Sequence, residues 1–168
     1  RIISDLLSLL GEELVYPFLV DDSPMVEFLM YSQEKIISRV EALRFLNDPS
    51  KKGVLVCNIA ASRLILPSPT RFKESTIKIA VGEEYDQHEL LHRLKEIGYR
   101  KVTQVQTQGA FSIRGDILDI FEMSQLEPFR IEFFGDEVDG IRTFEVETQL
   151  SKENQTNLTI FPASDILL

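Results

Sequence analysis

Apolar residues recur at helical spacing in two stretches of the first half of the chain, with short apolar runs between and after them. Ile3, Leu6, Leu7 and Leu10 share one face of a helix over 2–10, which Gly11 closes from the C′ position. Ile36, Ile37, Val40, Leu43 and Leu46 do the same for a helix over 32–46, stopped by Asn47-Asp48-Pro49-Ser50. Leu14–Val20 and Val54–Ile59 have strand length, and the second predicts a strand buried on both faces. Helix and strand alternating in this way predict an α/β layer with parallel strands. Pro67-Ser68-Pro69 interrupts the pattern, which puts a boundary near residues 67–80.

The second half follows another pattern. Asp86–Ile97 is one amphipathic helix, capped by Asp86 and closed by Gly98. Short strands follow at Val102–Gln106, Ala110–Arg114, Ile117–Phe121, Phe129–Phe134 and Val138–Glu145, with Gly115-Asp116 and Gly135-Asp136 as turns. One helix ahead of an antiparallel meander predicts an α+β domain. The polar stretch Ser151–Asn157 leads to an apolar end, Ile160–Leu168, and both chain ends read as cut from something longer.

Composition narrows the function classes. A 43% hydrophobic content with eleven Phe supports a folded core, and no apolar run has the length of a membrane span. A single cysteine, Cys57, excludes a disulfide framework and a thiolate zinc site, and the expected compartment is the cytoplasm. The net charge of −9 is uneven: residues 80–150 carry seven basic and fifteen acidic side chains, whereas residues 1–79 balance at ten each. A nucleic-acid binder needs a concentrated basic surface, so direct nucleic-acid binding by this chain is not expected.

His88-Glu89-Leu90-Leu91-His92 matches the zinc-protease signature H-E-x-x-H. Leu90, Leu91, Leu94 and Ile97 form the apolar face of that helix, however, and both His fall nearly opposite it, on the solvated side. No third His exists to complete a ligand set. The chain has neither a phosphate-cradling G-x-x-x-x-G-K-[ST] nor a nucleophile elbow. The acidic pairs Asp21-Asp22 and Glu83-Glu84 read as solvated loops, and Arg114-Gly115-Asp116 reads as turn chemistry. Neither a catalytic group, a cofactor nor a metal is expected.

The informative stretch is 111–144. Alternation on Phe129–Phe134 sends Phe129, Ile131 and Phe133 to the core and Arg130, Glu132 and Phe134 to the other face. On Ala110–Arg114 it sends Phe111 and Ile113 inward, and Ser112 and Arg114 outward. Arginines beside an exposed aromatic in acidic surroundings compose a protein-binding hot spot. The alternative is that Arg114 and Arg130 only pair with carboxylates across the sheet while a second layer covers Phe134.

Phe111-Ser112-Ile113-Arg114-Gly115-Asp116-Ile117-Leu118-Asp119-Ile120-Phe121 and Phe129-Arg130-Ile131-Glu132-Phe133-Phe134-Gly135-Asp136-Glu137-Val138-Asp139-Gly140-Ile141-Arg142 closely resemble the module shared by UvrB and the bacterial transcription-repair coupling factors (Mfd). Arg39–Leu46, Gly53–Cys57, Glu89-Leu90-Leu91, Gly98-Tyr99 and Phe161–Ser164 follow the same family in order. Ser112, Val105–Gly109 and Thr148–Ser151 resemble the coupling factor more than UvrB, and a UvrB fragment is the alternative.

The resemblance implies a partial, degenerate ATPase-like domain 1a over 1–75, an α+β domain 2 with one helix and an antiparallel sheet over 76–157, and the start of domain 1b over 158–168. It implies a non-enzymatic module that recruits UvrA to stalled RNA polymerase for nucleotide excision repair. The UvrA-binding residues would be Arg114, Arg130 and Phe134. RNA polymerase and DNA would be engaged through other domains of the full-length protein.

Overall fold

The computed structural model describes residues 1–20 and 33–164. Asp21-Asp22 and the last four residues lie outside that part. The described residues have mixed α/β content, with four α-helices and mostly antiparallel strands. The chain divides into two compact units, Arg1–Pro69 and Thr70–Leu168, at the Pro67-Ser68-Pro69 interruption.

In the first unit, α1 (Ile2–Leu10) ends at Gly11, whose N–H donates to the Leu7 carbonyl. Strand β1 (Val15–Phe18), helix α2 (Gln33–Asn47) and strand β2 (Val54–Cys57) follow. β1 and β2 pair in parallel, from Val15↔Val54 to Phe18↔Cys57, as the helix–strand alternation predicts. Val15 and Phe18 are buried, as are Val40, Ala42 and Leu43 of α2, while Leu46 stays 47% exposed at the helix end. β2 departs from the expectation of a strand buried on both faces, because Val54 is 38% exposed and Cys57 is exposed. Among the described residues its sheet has two strands, and two-sided burial needs flanking strands and helices on both faces.

Helix α3 (Pro69–Glu74) spans the division and leads to β3 (Ile77–Ala80) and α4 (Gln87–Glu96). Asp86 caps α4 by accepting from the Glu89 N–H at 3.0 Å. At its other end the Gly98 N–H reaches the Lys95 carbonyl and the Tyr99 N–H the Leu94 carbonyl, the paired bonds of a Schellman motif. Gly98 takes φ +99, and a Cβ there would stand 3.0 Å from the Ser164 Cβ. Gly98→Ala should therefore lower the unfolding free energy by about 1–2 kcal/mol, the usual cost of left-handed backbone. Urea denaturation reads this, and an unchanged midpoint would show that the helix end adapts freely.

A six-stranded sheet forms the body of the second unit, in the order β4 (Arg100–Lys101), β5 (Ala110–Arg114), β6 (Ile117–Phe121), β7 (Phe129–Phe134), β8 (Glu137–Phe144) and β9 (Ser151–Gln155). β10 (Asn157–Ile160) pairs instead with β3, antiparallel. Val102–Gln106 is not the strand its apolar residues suggest; the ladder is Arg100–Lys101, parallel to β5, and residues 102–109 form a loop. Phe111, Leu118, Ile120, Ile131 and Ile141 are buried to 1% exposure or less on one face of β5–β8. Leu90, Leu94 and Ile97, the apolar stripe of α4, are buried too.

Two-residue loops join β5 to β6 and β7 to β8. Gly115 (φ 58) and Gly135 (φ 65) supply the left-handed first position of a II′ turn, and the Asp that follows each keeps a negative φ. Glu132 pairs with Gly140 and Phe133 with Val138, which leaves Asp139 as an extra residue in β8. This bulge brings Val138 to the buried face, with 0% exposure, where strict alternation from Ile141 would turn it outward.

Candidate functional site

The face of the sheet turned away from this core is built from charges. Register pairs carry Ser112 to Asp119, Asp119 to Arg130 and Arg130 to Arg142, so these four side chains cross β5–β8 in one row. Asp119 is 1% exposed. Its Oδ1 accepts from Arg130 Nε at 2.7 Å, and its Oδ2 accepts from Arg130 Nη2 at 3.0 Å and from Arg114 Nη2 at 2.7 Å. One carboxylate thus receives both arginines, Arg130 through the two-pronged geometry that suits a guanidinium. Arg130 and Arg142 are like charges directly opposite; Arg142 turns to Glu132 at 3.1 Å.

Part of this face is roofed. Val105, Phe121 and Phe144 form a small second core, with Val102 and Val146 packed against it. The 102–109 loop and the β8–β9 loop supply the covering residues. Ser112, expected to point into solvent, is buried, and its hydroxyl donates to the Thr103 carbonyl at 3.0 Å. Alternation places Ser112 on the correct face, but it cannot register a loop folded back over that face.

Arg130 lies under the same roof. Its side chain is 14% exposed, its guanidinium carbon sits 4.6 Å from the centre of the Phe144 ring, and Nη1 donates to the Gln149 carbonyl at 3.1 Å. Gln149 takes φ 60, the only positive φ outside glycine among the described residues. Left-handed backbone at such a residue costs about 1 kcal/mol, and here it turns the carbonyl onto Arg130. The Gln149 amide donates to the Val146 carbonyl at 2.7 Å, which fixes the turn. The hydrogen bond to Asp119 raises the Arg130 pKa above the usual guanidinium value, against the opposing effect of burial.

Away from the roof the face opens. The Arg114 side chain is 54% exposed, and Phe134 is 81% exposed. Among the described residues no second layer covers Phe134. The turn beside it is braced from the 82–87 segment. Gln87 Nε2 donates to the Gly135 carbonyl and the Tyr85 N–H to the Asp136 carbonyl, both at 2.8 Å. The Val138 N–H donates to the Glu83 carbonyl at 2.9 Å, and Glu84 bridges to Glu137. Tyr85 is anchored in turn, its hydroxyl donating to Glu83 and accepting from the Ala80 N–H. Burial first, then the bond to Glu83, pushes its phenol pKa up. A large apolar side chain is thus held out in water on a fixed hairpin end, the geometry of an anchor for a partner's pocket.

The structure therefore brings Arg114 and Arg130 onto one carboxylate and leaves Phe134 uncovered on the same sheet face. Sequence reasoning missed Asp119, Gln149 and Gln87. For Asp119 a signal existed, a lone carboxylate inside the apolar run Ile117–Phe121. His88 and His92, by contrast, are exposed, with His92 Nδ1 3.4 Å from Glu96, and no three His, Cys, Asp or Glu among the described residues are placed to hold a metal. The zinc-protease reading finds no support.

No helix among the described residues is long and apolar enough to cross a membrane. The chain is 34% identical over 168 residues to a transcription-repair-coupling factor of Bacillus subtilis (strain 168), a match that takes in 100% of this chain and 14% of that protein. It is 36% identical over 165 residues to the transcription-repair-coupling factor of Staphylococcus haemolyticus (strain JCSC1435), covering 98% of this chain and again 14% of the relative. The chain thus spans about one seventh of the curated relatives it matches. The family model described as the UvrB interaction domain matches residues 77–165, from the first residue of β3 through the whole six-stranded sheet, and the chain belongs to that family.

Proposed function

We propose that this chain is the non-catalytic recruiting module of a transcription-repair coupling factor, and that it binds UvrA through Arg114, Arg130 and Phe134. In this reading residues 1–75 are a partial, degenerate ATPase-like domain 1a, residues 76–157 are domain 2, and residues 158–168 begin domain 1b. The parent protein works in the cytoplasm, and it reaches stalled RNA polymerase and DNA through other domains. The observation that carries the proposal is Phe134, 81% exposed on a braced turn and on the same sheet face as the half-exposed Arg114. Arg114 presents its outer N–H groups to a carboxylate of UvrA, and Phe134 fills an apolar depression beside it.

Charge reversal tests this directly. Arg114→Glu should abolish co-purification of UvrA with the chain, and weak binding by the wild type should fall as salt rises. Retention of UvrA by the folded variant at wild-type level would remove Arg114 from the interface.

A further inference from the structure

We infer that Asp119 is the positioning residue of this face, a buried carboxylate that bonds both arginines and decides where they stand; the inference rests on the UvrA reading above. Its two oxygens take three N–H donors from two guanidinium groups, at 2.7, 2.7 and 3.0 Å. One negative charge thus meets two positive ones, and the cluster keeps a single positive charge for a partner.

The bonds also divide the labour between the arginines. Arg130 gives three of its five N–H groups inward, Nε and Nη2 to Asp119 and Nη1 to Gln149, with its guanidinium over the Phe144 ring, which leaves only its 14% exposed edge for UvrA. Arg114 gives Asp119 one N–H from Nη2 and is 54% exposed, so its remaining donors are turned to solvent in an orientation fixed from behind. Asp119 therefore acts through Arg114 and does not itself meet the partner. A carboxylate at 1% exposure is expensive in a strand that is otherwise apolar, and packed hydrophobic residues in place of a buried ion pair are often no less stable. What an apolar residue at 119 could not do is hold a half-exposed guanidinium in one place before the partner arrives.

The test uses the chain with 15N-labelled arginine side chains and purified UvrA. Asp119→Asn keeps the shape of the side chain and removes its charge. In the wild type, one Arg114 Nη group should give a separate, slowly exchanging signal. In Asp119→Asn that signal should collapse to the averaged signal of a free guanidinium, and affinity for UvrA should fall at least about tenfold while circular dichroism keeps the sheet. If Asp119→Asn does not fold, Asp119→Asn combined with Arg130→Met removes the buried anion and cation together, and the same Arg114 signal is read there. An unchanged Arg114 signal in whichever variant folds overturns the inference, and so does folded Asp119→Asn binding UvrA within about twofold of wild type. Should the wild type itself fail to bind UvrA, the partner reading falls, and the Arg114 signal alone then decides whether Asp119 positions it.

Discussion

Arg130→Ala should lower the unfolding free energy of the second unit by about 3 kcal/mol, the low end of the cost of breaking a buried ion pair. The low end applies because Asp119 would keep one partner, Arg114, through a single bond at 2.7 Å. The variant also loses the Gln149 carbonyl bond and the face of the Phe144 ring. Urea denaturation followed by circular dichroism measures the effect. A loss below about 1 kcal/mol would mean that this arginine behaves as a surface charge. Because the folded-state pKa is raised, the contribution is complete below the unfolded value and fades only as pH climbs through the folded one. Ordinary buffers will therefore show no pH dependence from this guanidinium. A failed pull-down with Arg130→Ala is consequently ambiguous, since the substitution loosens the framework that carries the other two residues.

Phe134→Ala should behave in the opposite way. At 81% exposure the ring has little packing to lose, and the unfolding free energy from urea denaturation should hold within about 0.5 kcal/mol. Affinity for UvrA should nevertheless drop by about 2 kcal/mol or more, roughly thirtyfold, because a central aromatic anchor desolvates fully only against its partner. Titration calorimetry with UvrA would show it. Binding within about twofold of wild type would take Phe134 out of the interface. The two substitutions together separate framework from contact: one moves stability and binding, the other binding alone.

How far the sequence reveals these elements depends on the kind of signal each leaves. α4 is readable at both ends because Asp86 and Gly98 are capping residues with geometry of their own, and the two hairpins are readable through Gly115-Asp116 and Gly135-Asp136. β9 escapes because Ser-Lys-Glu-Asn-Gln has no apolar alternation to read; only the ladder to β8 makes it a strand. Val102 and Val105 mislead in the other direction. Their apolar character serves the small core over the charged face, so residues that look like a strand belong to a covering loop. At the candidate site, alternation sorts Arg114, Arg130 and Phe134 onto one face and stops there. The exposures of 54% for Arg114 and 14% for Arg130 are set by tertiary cover that no local pattern encodes.

The strand that closes the sheet has a consequence for how a partner can dock. Among the described residues β9 has no neighbour beyond β8 in the sheet, and four of its five residues are exposed. Lys152 is further tied to Glu127. A foreign strand laid along this edge would have to desolvate the charges of Lys152 and Glu153 and the polar side chains beside them, which is how natural sheets discourage unwanted extension. Recognition by strand addition is therefore disfavoured on this side. What this side of the sheet offers instead is a display of polar side chains, poor at templating aggregation along β9.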